Sequence, residues 1–213
     1  GIGTLTVTGR QINAGSIFTN GAFLVTNSGN SSITNVISNG ATSAATLTKA
    51  GSGTLTLSGN NTFTGDTTIN AGIVKLTGAL SASTDLIIDN DATLDLQVSQ
   101  IFASLDLDGT ITRTAGTSAL TVSGPSNLDG SITTTGTQTY TGTITLTADT
   151  TLTSTGAAIT ASAIDGGFDL TIAAGAAQSL TSAIGSSTPL TSINVSTTSG
   201  NLTLGNNIAV AGT

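Results

Sequence analysis

Apolar and polar residues alternate one by one through short stretches of this chain. Thr4-Leu5-Thr6-Val7-Thr8, Thr143-Ile144-Thr145-Leu146-Thr147, Asp169-Leu170-Thr171-Ile172 and Asn201-Leu202-Thr203-Leu204 all repeat with a period of two. Successive side chains of a strand point to opposite faces, so this period predicts half-buried strands with one face inward. Gly, Asn, Asp or Ser interrupts the runs roughly every 8–12 residues, and Asn20-Gly21, Asn39-Gly40 and Asp129-Gly130 read as tight turns. The apolar members define a candidate core: Leu5, Val7, Leu55, Leu57, Ile69, Leu86, Ile88, Leu94, Leu96, Leu105, Leu107, Ile144, Leu146, Leu170, Ile172, Leu202, Leu204 and Ile208.

Many short strands fit either an antiparallel sandwich or a coil of stacked strands. Repeats separate the two. Gly1-Ile2-Gly3-Thr4-Leu5-Thr6-Val7-Thr8-Gly9 returns as Gly51-Ser52-Gly53-Thr54-Leu55-Thr56-Leu57-Ser58-Gly59, and Ile12-Asn13-Ala14-Gly15 returns as Ile69-Asn70-Ala71-Gly72. A weaker echo links Leu128–Thr137 to Leu204–Thr213. It predicts a natural chain continuing past Thr213 much as Gln138-Thr139-Tyr140-Thr141-Gly142 follows Thr137. Quasi-repeats with insertions, small apolar residues and few aromatics (3 %) favour a β-solenoid. About 20 residues per turn gives about ten rungs, each rising ~4.8 Å, and a rod ~50 Å long. Neither end shows a capping helix or charged cap, so the expectation is a single continuous segment, 1–213, of a longer rod.

Composition narrows the chemistry. The chain has 37 % hydrophobic and 7 % charged residues, so it can bury a core and owes its wettability to hydroxyls and amides. Thr, Ser, Gly and Asn are poor helix formers, whereas Thr, Val and Ile suit strands. With no His and no Cys, a Ser-His-Asp triad, a thiol nucleophile and the usual zinc sites are excluded. Four basic residues (Arg10, Lys49, Lys75 and Arg113) cannot form a nucleic-acid-binding face. No apolar run is long enough to span a membrane. The absence of Cys suits a cytosolic protein or one exported unfolded.

The stretch from Lys49 to Leu76 reads Lys-Ala-Gly-Ser-Gly-Thr-Leu-Thr-Leu-Ser-Gly-Asn-Asn-Thr-Phe-Thr-Gly-Asp-Thr-Thr-Ile-Asn-Ala-Gly-Ile-Val-Lys-Leu. It resembles the autotransporter-associated β-strand repeat of bacterial autotransporter passenger domains, with Phe63 at an often-Tyr position. Gly1–Ile17 looks like a degenerate second copy. From about Asp149 onward the chain is similar to large surface adhesins of the filamentous-haemagglutinin kind, on Ala163–Ile172 and Gly185–Ile193. The organisation expected is autotransporter-type repeats over 1–80 and adhesin-type repeats over 81–213. The resemblance implies an all-β, right-handed parallel β-helix, an extracellular place on the bacterial cell surface, and adhesion, autoaggregation or fibre formation.

Four kinds of chemistry compete with a plain stalk. Asp85, Asp89, Asp91, Asp95, Asp106 and Asp108 crowd the stretch 85–108, and stacked turns could bring Asp89 and Asp91 beside Asp106 and Asp108 as calcium ligands. Alternation equally makes them a solvated strand face, and no Glu is present for bidentate closure. Polysaccharide cleavage needs a carboxylate pair in a cleft, usually with basic and aromatic side chains, which here are few and scattered. Ice binding needs a regular threonine ladder; Thr4/Thr6/Thr8, Thr54/Thr56, Thr133/Thr135, Thr137/Thr139/Thr141 and Thr143/Thr145/Thr147 are irregularly spaced. Lys49 or Lys75 could also join an Asn in an isopeptide. The expectation is a non-catalytic stalk or adhesin with no cofactor, no metal and no catalytic residue, binding copies of itself or a host or environmental glycan or protein.

Overall fold

The computed structural model describes residues 4–8 and 17–211, and every assigned strand pairing among them is parallel. No described residue is helical. The chain winds as a β-solenoid of about ten turns. One inward position follows the coil down its first face: Leu5, Phe23, Leu47, Thr67, Leu86, Leu105, Ser126, Ile144, Ile164 and Ile184 are successive register partners. Their separations run from 18 residues (Leu5 to Phe23) to 24 (Phe23 to Leu47), matching the predicted length of a turn.

A second face stacks Leu55, Val74, Leu94, Ile111, Ile132, Leu152 and Ile172 inward. A third carries the short strands Gln100–Phe102, Leu120–Val122, Gln138–Tyr140, Ile159–Ala161, Gln178–Leu180 and Leu202–Leu204. Three inward stripes leave room for a narrow core, which explains why aliphatic side chains fill it and aromatics are scarce. Phe23, Phe63, Phe102 and Tyr140 are the large exceptions, all buried.

Most predicted core positions are buried, from Leu55 and Leu57 to Leu170 and Ile172. Leu5, Leu202 and Leu204 are exposed, at 43 %, 40 % and 51 %, and Val7 and Ile208 are half-buried. These five lie in the outermost described turns, which have a neighbouring turn on one side only. Alternation fixes which way a side chain points but not whether another turn covers it.

The third face contains a line of residues that the alternation did not assign. Ile37, Asn61, Leu80, Gln100, Leu120, Gln138, Ile159 and Gln178 follow one another, apolar and amide in turn. Each carboxamide sits inside, almost wholly shielded from water. Gln100 Oε1 accepts from Leu80 N–H at 2.9 Å while Gln100 Nε2 donates to Leu80 O at 2.9 Å. The side chain thus replaces a backbone peptide between turns. Asn61 Oδ1 accepts from Ile37 N–H, and Gln178 Oε1 from Ile159 N–H. Strands here are too short to pair every backbone group, and unpaired buried groups are costly, so amides complete the ladder.

Asp129-Gly130 is not a tight turn. It lies inside one continuous strand, Ser126–Thr134, where the register slips between Leu128 and Gly130. A parallel coil rounds its corner by a bulge rather than by a hairpin. Gly130 has φ 138°, and a Cβ there would stand 2.2 Å from Gly109 O in the turn beside it. The sequence echoes also land differently from expectation. Leu5–Thr8 pairs on the first face, but its echo Thr54–Leu57 pairs on the second. Leu128 is on the first face and Leu204 on the third. The remainder of the first copy, including Arg10 and Ile12-Asn13-Ala14-Gly15, and the final Gly212-Thr213 lie outside the described residues.

Candidate functional site

Outward residues of the second face form two columns across consecutive turns. Thr110, Ser131, Thr151 and Thr171 stand in register, and beside them Thr112, Thr133, Thr153 and Ala173. Each strand offers residues i and i+2 to solvent, and turns stack about 4.8 Å apart, so hydroxyls and methyls make a two-column lattice without charge. The threonine runs read along the sequence are not this lattice. Thr143, Thr145 and Thr147 flank or lie in the first-face strand, Thr133 is on the second face, and Thr139 is on the third. Regularity lies across turns, at separations of 20 or 21 residues, rather than along the runs. Towards the start of the coil the same columns hold Ile73 and Lys75, then Thr93 and Asp95, which break it.

The aspartates divide into two groups. Asp95 is buried and used internally: Oδ1 accepts from Thr114 N at 2.9 Å, and Oδ2 from Thr114 Oγ1 at 2.6 Å and Gln97 Nε2 at 2.8 Å. Asp85 accepts from Ser104 Oγ at 2.7 Å. Asp91, Asp108 and Asp149 border a groove of about 430 Å³ along the corner between the first and second faces, with Thr93, Thr110 and Thr151 on its other bank. Partial burial, then the charges of Asp106, Asp129 and Asp89, push the Asp108 carboxyl above its ordinary range. The turns therefore do bring Asp89 towards Asp106 and Asp108. Among the described residues, however, no three acids converge on a point where they could hold a metal ion.

The raised Asp108 value fixes a sign. A carboxyl that holds its proton more tightly when folded contributes stability at low pH and loses it as pH rises through the folded value. Relieving the repulsion is expected to stabilise: Asp108→Asn should raise Tm by roughly 1–3 °C at neutral pH and low salt, the exposed position keeping the effect small. Thermal melts of both proteins at two ionic strengths check it; a lower Tm in Asp108→Asn contradicts it.

Among the described residues, no basic side chain lines this groove. Arg113 donates from Nη1 to Gly116 O at 2.6 Å. Lys49 is buried, and its partners are backbone oxygens, with no asparagine amide among them. Sequence reasoning missed Lys49, Gln100, Gln138 and Gln178 as interior residues. The phase of alternation could have found them, because Lys49 follows Leu47 by two, and each Gln precedes Phe102, Tyr140 or Leu180 by two.

Residues 47–76 match the family model described as Passenger-associated-transport-repeat. The matched segment runs from the first face through the second and third, returns to the first at Thr67–Ile69 and ends on the second, more than one full turn. This repeat and the β-solenoid around it fit an autotransporter passenger domain, and the repeat family implies a secreted, cell-surface protein. The chain matches no curated protein and no solved structure. Among the described residues, no helix is long and apolar enough to cross a membrane.

Proposed function

We propose that this chain is a non-catalytic stalk segment of a bacterial surface passenger, and that its flank promotes cell–cell aggregation or adhesion. The passenger-associated transport repeat within a parallel coil carries the reading. Stacked turns resist bending and local opening because each turn's backbone groups bond to the next. The uncharged hydroxyl columns from Thr110 to Ala173 suit many weak contacts with a like flank on a second copy. Chemistry is disfavoured by the absence of His and Cys and by an acidic groove that, among the described residues, no basic side chain lines.

Two measurements test this. Bacteria displaying the chain are expected to settle faster than undisplayed controls, and the purified chain to associate side by side under electron microscopy. Saturable binding of the purified chain to glycans or host cells, without self-association, would move the role to adhesion proper. A chain that stays dispersed and binds neither cells nor itself overturns both. The aligned threonine lattice favours one second reading, a surface that orders water and binds ice; an ice-recrystallisation assay separates it from aggregation.

A further inference from the structure

One column of the first face is aliphatic except at a single place. Val25, Lys49, Ile69, Ile88, Leu107, Leu128 and Leu146 are successive inward register partners. Lys49 is fully buried among them. Its methylenes take the place of an aliphatic side chain between Val25 and Ile69. Its ammonium reaches the corner where the first face passes into the second. There Nζ donates to Ala50 O at 2.9 Å, Gly51 O at 2.6 Å and Ala71 O at 3.0 Å. Two of these oxygens belong to one turn and the third to the turn stacked on it.

The corner is shaped for this. Gly51 and Gly72 both have positive φ, at 77° and 72°. A Cβ on Gly51 would lie 2.5 Å from Asn27 O, and one on Gly72 would lie 2.6 Å from Gly51 O. Glycine at both positions lets two successive corners nest. Three carbonyl oxygens facing one point present partial negative charge to a cation; three suit an ammonium, whereas hard metal cations take six or more oxygens. Three N–H donors of a lysine ammonium satisfy the three oxygens without an added ion.

We propose that this corner is a carbonyl cation site whose resident cation is the chain's own Lys49 ammonium, tethered from the neighbouring strand. Losing the tether leaves a cradle for a free cation of ammonium size. The ammonium thereby joins two adjacent turns at the corner where Gly51 and Gly72 both take positive φ.

The test uses the 213-residue chain. Lys49→Ala is expected to lower Tm by roughly 5–10 °C. Ammonium chloride should recover the part of that loss owed to the three carbonyls, though not the part owed to the missing methylenes, whereas tetramethylammonium chloride at equal ionic strength, too large for the cradle, should recover neither. Lys49→Met, which refills the volume without a charge, should show no selective recovery. Equal response of Lys49→Ala to both salts overturns the proposal, as does an unchanged Tm. The unmodified protein supplies a readout that survives if the variants fail to fold. Hydrogens on 15N-labelled Lys49 Nζ should exchange with water far more slowly than those on Lys75; equal rates overturn the proposal.

Discussion

Replacing Gln100 by alanine is expected to cost roughly 3–5 kcal/mol, the largest single-site loss anticipated away from the aliphatic core. The substitution opens a cavity and strips partners from both Leu80 N–H and Leu80 O, which Gln100 alone serves across the gap between turns. Gln100→Leu keeps the volume and isolates the second effect. It should still cost about 2 kcal/mol, because two buried backbone groups lose their bonds. Thr121→Ala, outward on the adjoining strand, should fall within about 0.5 kcal/mol of the parent. Urea denaturation with an unchanged slope measures all three. A Gln100→Ala midpoint equal to that of Thr121→Ala would show that the amide line is ornament rather than ladder.

Alkali should unfold the coil as a unit and report on itself. Tyr140 is the chain's sole tyrosine, is fully buried, and donates from its hydroxyl to Gln138 Oε1 at 3.0 Å. Burial drives its phenol far above the ordinary value of 10.0. The unfolded chain loses this proton near pH 10 and the folded chain does not. Stability from Tyr140 is therefore complete below the unfolded value and drains away as pH climbs beyond it. Tyrosinate absorbance and the loss of β circular dichroism should rise together above pH 10 as one cooperative step. Tyr140→Phe should shift that step to higher pH. Absorbance changing well before the circular dichroism would place the phenol in water.

Much of this architecture was legible. A period of two punctuated by Gly, Asn and Asp gave short strands. The scarcity of aromatics pointed to a thin core, and the repeated Gly-x-Gly-Thr-Leu motif pointed to stacking. What stayed hidden follows from physical causes. Lys49 and the three glutamines are polar by type, so residue identity overrode the phase of alternation that points them inward. The threonine lattice is a property of register between turns, its members 20 or 21 residues apart, which runs of neighbouring threonines do not reveal. The internal echoes were real in sequence yet misleading in space, since Leu5–Thr8 and Thr54–Leu57 pair on different faces. Carboxylates at 85–108 looked like one cluster, but the chain commits Asp85 and Asp95 to hydrogen bonds with Ser104, Thr114 and Gln97 and strings others along a corner.

The first echo changes face without changing its pattern of inward and outward residues. The interchangeable module is a strand and the bend after it, about a third of a revolution, because any face accepts the same greasy-in, hydroxyl-out grammar. A coil that gained or lost such a module would keep its period of two while everything downstream turned about the axis. An outward column downstream of such a module would point a new way around the rod, while its inward residues would meet new neighbours of the same apolar kind.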